Sequence, residues 1–136
     1  MKSIVLTIIA ASSLVVQAAK PLKVFILSGQ SNMVGMASTK TFPAIGMDPL
    51  TAPMLKDLLD KDGKPVVFDE VYICKAGDGE GPKAPVERFG KLEAGYGGGN
   101  GSNIGPEYTF GIYMHKMLNE PILIIKVARG GRDLFR

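Results

Sequence analysis

A single cysteine and a single histidine stand among the 136 residues, and each scarcity closes off a class of chemistry. One thiol cannot close an intrachain disulfide, and one histidine with one cysteine cannot supply a metal site of the usual ligand count. No motif in the chain implies a cofactor. The formal net charge of +3 is spread along the sequence without a basic run. Electrostatics therefore make a poor case for nucleic acid or an anionic membrane as partner. No internal repeat marks a solenoid. The apolar stretch from Ile4 to Val16 falls short of the roughly 20 residues that a bilayer span needs.

That stretch has another reading. Lys2 supplies a positive start, Ile4 to Val16 an apolar middle, and Val16-Gln17-Ala18 or Gln17-Ala18-Ala19 a small-residue cleavage site, the pattern of a secretory signal peptide. The expected organisation is a signal peptide over 1–19 and one domain over 20–136, with a secreted or periplasmic mature protein and no membrane attachment after cleavage. Loss of Lys2 takes the 16 basic residues to 15, against 13 acidic ones. The mature chain is then nearly neutral. Cys74, which follows Val71-Tyr72-Ile73, reads as a buried core thiol with no catalytic task.

What is present is a chain 46% hydrophobic with charges of both signs, the composition of one globular domain. Strand-like runs occur at Val24 to Ser28, Val66 to Lys75 and Ile122 to Val127. The first and last are nearly continuously apolar, as parallel strands covered on both faces are. Pro106 and Glu107 suit a first helical turn. The apolar pattern Phe110, Ile112, Tyr113, Met117, Leu118 then runs on to Asn119 and Pro121, which predicts a helix from Gly105 to Leu118. A weaker helix is predicted over Ala52 to Leu59. Alternating strands and helices point to an α/β fold with a mainly parallel sheet.

Two long glycine- and proline-rich loops, Gly77 to Pro85 and Gly95 to Gly105, have the length of functional rims or loose connections. A phosphate loop is excluded because no Gly-Lys-Ser/Thr ending follows, and the glycine spacing is not that of a dinucleotide site. The stretch KVFILSGQSNMVGMA, residues 23 to 37, carries the chemistry. A serine just past the carboxyl end of a buried strand stands where ligands of open α/β sheets bind. Backbone N–H groups of such a turn converge on one point, where they can stabilise an oxyanion. On its own the turn would also suit Ser31 and Asn32 as caps of the next helix.

GQSNM at 29 to 33 resembles the first block of the SGNH hydrolases, in the carbohydrate-esterase branch that includes sialate O-acetylesterase-like domains. GPEYTFG at 105 to 111 looks like that branch's Gly-Pro-Glu segment opening a helix, and ILIIKVARGGRDL at 122 to 134 is similar to its strand ending in a Gly-Gly turn. The resemblance implies a three-layer α/β/α, flavodoxin-like fold and an esterase removing O-acetyl groups from an acetylated carbohydrate. It implies Ser31 as nucleophile, with the N–H groups of Ser31 and of Gly130 or Gly131 as oxyanion donors and Gln30 and Asn32 lining the same turn. Glu107 reads as a helix-start stabiliser. Arg129 and Arg132 could meet a sugar carboxylate, or be ordinary surface arginines.

The chain departs from that family at one point. A serine hydroxyl needs a base to take its proton, and the family's Asp-x-x-His pair is not found before Arg136. The one histidine, His115, lies ten residues into the predicted helix, roughly 15 Å from the carboxyl edge at about 1.5 Å per residue, and is not expected to act on Ser31. The expectation is a domain truncated at its C-terminus, with an exposed sheet edge. Two functions follow: an exported carbohydrate esterase in its complete form, or a carbohydrate-binding or interaction domain on the same fold without turnover.

Overall fold

The computed structural model describes residues 21–77, 87–99 and 101–131. The expected signal peptide, most of the Gly77 to Pro85 loop and Arg132 lie outside them. In chain order the elements are β1 (Lys23–Gly29), α1 (Ser31–Val34), β2 (Ala37–Ser38), α2 (Phe42–Ile45), α3 (Leu55–Leu58), β3 (Phe68–Lys75), β4 (Arg88–Leu92), β5 (Asn103–Ile104), α4 (Pro106–Leu118) and β6 (Ile122–Ala128). Four strands form one sheet in the order β1-β6-β3-β4. β6 pairs parallel with both β1 and β3, and only β4 is antiparallel. This is an α/β fold with a mainly parallel sheet. A two-stranded antiparallel bridge, β2 with β5, stands apart from it.

Local chemistry explains where α4 begins and ends. Pro106 occupies the first turn, where its missing N–H costs no hydrogen bond, and Asn119 closes the helix in the left-handed conformation at φ 51°, which asparagine tolerates better than most residues. The helix buries Glu107, Tyr108, Gly111 and Ile112 against the sheet, a spacing of three and four that makes one face. Gly111 leaves room there for Val71, Leu92 and Ile124. Strand alternation sends Ile122, Ile124, Lys126 and Ala128 of β6 to the same side, all buried. Burying each isoleucine contributes roughly 1.5–3 kcal/mol. Phe25 of β1 meets Phe110 edge-on at 5.3 Å.

Tyr108 closes the core at its far side. Its hydroxyl donates to the carbonyls of Val66 at 3.0 Å and Leu58 at 3.3 Å, tying α4 to the α3 segment. Burial pushes its pKa up to about 12, against the opposing effect of the bond to Val66.

Several boundaries differ from the sequence expectation. The weaker helix is a 3₁₀ turn, Ala52–Met54, leading into the single turn α3, and Leu59 then bridges to Pro65. β3 starts at Phe68 rather than Val66, with a register irregularity before Tyr72. Cys74 is not a core thiol: it is half-buried and its Sγ donates to Glu87 Oε1 at 2.8 Å, an acceptor that raises its pKa, with burial adding to the effect. β1 and β6 are not covered on both faces. Among the described residues the helices lie on one face of the sheet, and the other presents Val24, Ile26 (70% exposed), Val127 and Phe89 (68%). A run apolar on both parities fits a strand buried twice over. Here the odd-numbered residues of β1 face α4 and the even ones face outward.

Candidate active site

Ser31 opens α1 directly beyond the carboxyl end of β1, one of the two edge strands of the sheet. The strand and the helix meet at Gly29, where a Cβ would stand 2.8 Å from Met33 Cβ. The helix cap is Gln30, not Ser31: the Gln30 side-chain carbonyl accepts from Ser31 N at 3.3 Å and from Ser31 Oγ at 3.2 Å. The serine hydroxyl therefore satisfies no helix N–H, which removes the capping explanation for its presence. It is exposed and available to a ligand.

Ser31 and Asn32 line a cleft of about 560 Å³. The opposite wall is Ile104, Gly105, Pro106 and Thr109, the β5 strand running into the first turn of α4. Between the walls the β2–β5 bridge pairs Ala37 with Ile104 and Ser38 with Asn103, fixing the chain after the serine to the chain before α4. Gly35 permits that closeness. At φ 73° it holds a conformation side chains resist, and a Cβ there would lie 2.1 Å from Gly105 Cα.

Gly130 and Gly131 follow β6 at the same edge of the sheet, where Arg129 N donates to Gly29 O at 3.2 Å and extends the β1–β6 pairing one residue past the end of β6. They are exposed and do not line the cleft. The expected site is thus brought together in part: Ser31 and Asn32 share the cleft, Gln30 folds back on the serine, and the two glycines stand beside β1's turn. His115 lies at the other end of α4. Its Nδ1 is 3.0 Å from Glu120 O, and its Nε2 is 3.6 Å from Glu70 Oε2. It is no base for Ser31.

Sequence reasoning missed the most buried charges near the site. Glu107 starts α4 as expected, with Oε1 accepting from Gly105 N at 2.8 Å. Its Oε2, however, meets Lys126 Nζ at 2.5 Å, both residues being essentially inaccessible at 1% and 0%. Removing one partner of such a pair typically costs about 3–5 kcal/mol, because the other charge is left buried. Burial lowers the Lys126 pKa against the opposing pull of Glu107. The glycine-rich segment is no loose rim. The carbonyls of Gly95, Tyr96 and Gly97 accept in turn from Arg88 (3.0 Å), Lys126 (3.0 Å) and Lys75 (3.1 Å). One cation from each of β4, β6 and β3 holds it.

An open α/β domain with its cleft at the carboxyl edge of a mainly parallel sheet is the class that this geometry defines. Within that class the family model described as carbohydrate esterase, sialic acid-specific acetylesterase, matches residues 21–136. The chain belongs to this family. No curated protein and no solved structure gives a match.

Proposed function

We propose that Ser31 is the nucleophile of an O-acetyl esterase acting on an acetylated carbohydrate. The observation that carries this is an exposed serine, with no capping duty, opening onto a cleft in a chain of the carbohydrate esterase family. In the reaction a base takes the Ser31 proton and Oγ adds to the acetyl carbonyl carbon. The tetrahedral oxyanion then collapses, the sugar oxygen leaves with a proton, and water releases acetate from the acetyl-serine. Ser31 N–H and a glycine N–H of the Gly130-Gly131 turn would receive the oxyanion. The Gln30 carbonyl, which holds Ser31 N at 3.3 Å, would have to swing aside, and Asn32 would meet the sugar.

The base belongs to an Asp-x-x-His pair that these 136 residues do not carry. The test is release of acetate from acetylated sugars, or of 4-nitrophenol from its acetate, by the 136-residue chain and by a form carrying that pair. The chain alone should show only the residual rate that binding and backbone donors give, several orders of magnitude lower. A 136-residue chain as fast as ordinary serine esterases, and silenced by Ser31→Ala, would mean another base serves. The distance of His115 from Ser31 favours one second reading, a carbohydrate-binding domain without turnover. Binding of the sugar with no acetate released by either form would establish it.

Export is part of the proposal, on the pattern of Lys2, Ile4 to Val16 and Ala18-Ala19. Material exported through a general secretory pathway should begin at Ala19 or Lys20. N-terminal sequencing that finds Met1 on exported protein would contradict it.

A further inference from the structure

α1 is a helix of four residues, closed by Val34 N to Gln30 O at 2.8 Å and Gly35 N to Ser31 O at 3.2 Å. A single turn does not hold itself in water, since nucleating a helix fixes several residues for one or two bonds. Its orientation, and with it the aim of Ser31, must come from what grips it. Two carbonyls at its C-terminal end are gripped: Val34 O accepts from Lys126 Nζ at 2.9 Å, and Gly35 O from Gly98 N at 2.7 Å.

Lys126 is the hub of these contacts. An ammonium has three N–H donors, and here each has an acceptor: Val34 O, Tyr96 O at 3.0 Å and Glu107 Oε2 at 2.5 Å. Through them it joins the serine helix, the glycine-rich segment and the first turn of α4. Glu107 fixes the cleft's far wall by taking Gly105 N. Gly105 lies against the pair so closely that a Cβ there would be 2.5 Å from Glu107 Oε2 and 3.0 Å from Lys126 Nζ. An apolar side chain at 126 would fill the space and leave the Val34 and Tyr96 carbonyls without that donor.

We propose that Lys126, held by Glu107, is a positioning residue for Ser31, setting the serine helix against the wall of the cleft from beneath. The role rests on Ser31 being the nucleophile. The pair touches no substrate atom, because it is sealed under the cleft.

The test uses the 136-residue chain for exchange and a form carrying the Asp-x-x-His pair for labelling, each as wild type and as the double variant Lys126→Met, Glu107→Gln, which removes both charges with little change of volume. Backbone amide exchange by NMR is read at Val34 and Gly35, and at Ile112 and Ile124 as core references. Labelling of Ser31 by a fluorophosphonate is followed by intact mass. Exchange at Val34 and Gly35 should rise roughly tenfold or more with Ile112 and Ile124 within about twofold, and labelling should slow roughly tenfold or more. A folded double variant with unchanged exchange at Val34 and Gly35, or with all four amides accelerated alike, overturns the proposal, as does labelling at the wild-type rate. If the double variant does not fold, the wild-type chain decides: Val34 and Gly35 must be protected comparably to Ile124, and free exchange there overturns the proposal. Wild-type Ser31 that takes no label in the form carrying the Asp-x-x-His pair, with protection at α1 intact, sinks the nucleophile assignment and the positioning role with it, a pattern unlike the others.

Discussion

In a form of the domain that carries the Asp-x-x-His pair, Ser31→Ala is expected to lower the deacetylation rate by roughly three orders of magnitude or more. The thermal midpoint should move by no more than about 2 °C. Both halves follow from the same geometry. The hydroxyl is the group proposed to form the acyl intermediate, yet among the described residues its hydrogen bond is a 3.2 Å contact to its exposed neighbour Gln30. A helix-capping serine would behave in the opposite way, losing about 1 kcal/mol of stability with turnover kept. His115→Ala is the paired control, and it should leave the rate unchanged because the ring lies among Glu70 and Glu120 at the other end of α4. An inactive His115→Ala beside an active Ser31→Ala would reverse both assignments.

The largest loss of stability is expected at Gly35. An alanine there would bring its Cβ to 2.1 Å from Gly105 Cα, 2.7 Å from Gly105 N and 2.8 Å from Ile104 O. All three are backbone atoms, so no side chain can rotate away, and the φ of 73° adds its own strain. The substitution should destabilise by ~4 kcal/mol or more, well above the usual range for a point change. Gly63 separates the two causes, since it has the same φ of 73° with nothing within 4 Å of a built Cβ. Gly63→Ala should cost only about 1 kcal/mol. Thermal midpoints for the two variants within about 3 °C of one another would show that the β2–β5 region gives way and that the close approach is not required.

The elements legible in the sequence were those whose signals are local. Pro106, Glu107, Asn119 and Pro121 mark the ends of α4 within a residue, and the apolar runs give β1 and β6. What was hidden depended on partners far away in the chain. The stretch Arg88–Leu92 reads as a strand only once β3 is there to pair with it. Lys126 shares its parity with the buried Ile122 and Ile124, a signal that it points inward. Its acceptors, however, are two backbone carbonyls and a carboxylate 19 residues earlier, and carbonyls leave no trace in a sequence. The glycines from 95 onward suggested looseness for the same reason, as the cations that bind that backbone come from three separate strands.

The central place of β6 has a kinetic consequence. Among the described residues β1 has no sheet neighbour but β6, and Lys23 pairs with Ile122, 99 residues later. β3 likewise finds its parallel partner only there. At roughly 5–20 residues per second, a ribosome needs on the order of 5–20 s after making β1 to supply the strand that β1 requires. The four-stranded sheet therefore cannot close until β6 has been made. Pairings this far apart in the chain are slow to form, so β1 waits without its partner through that interval.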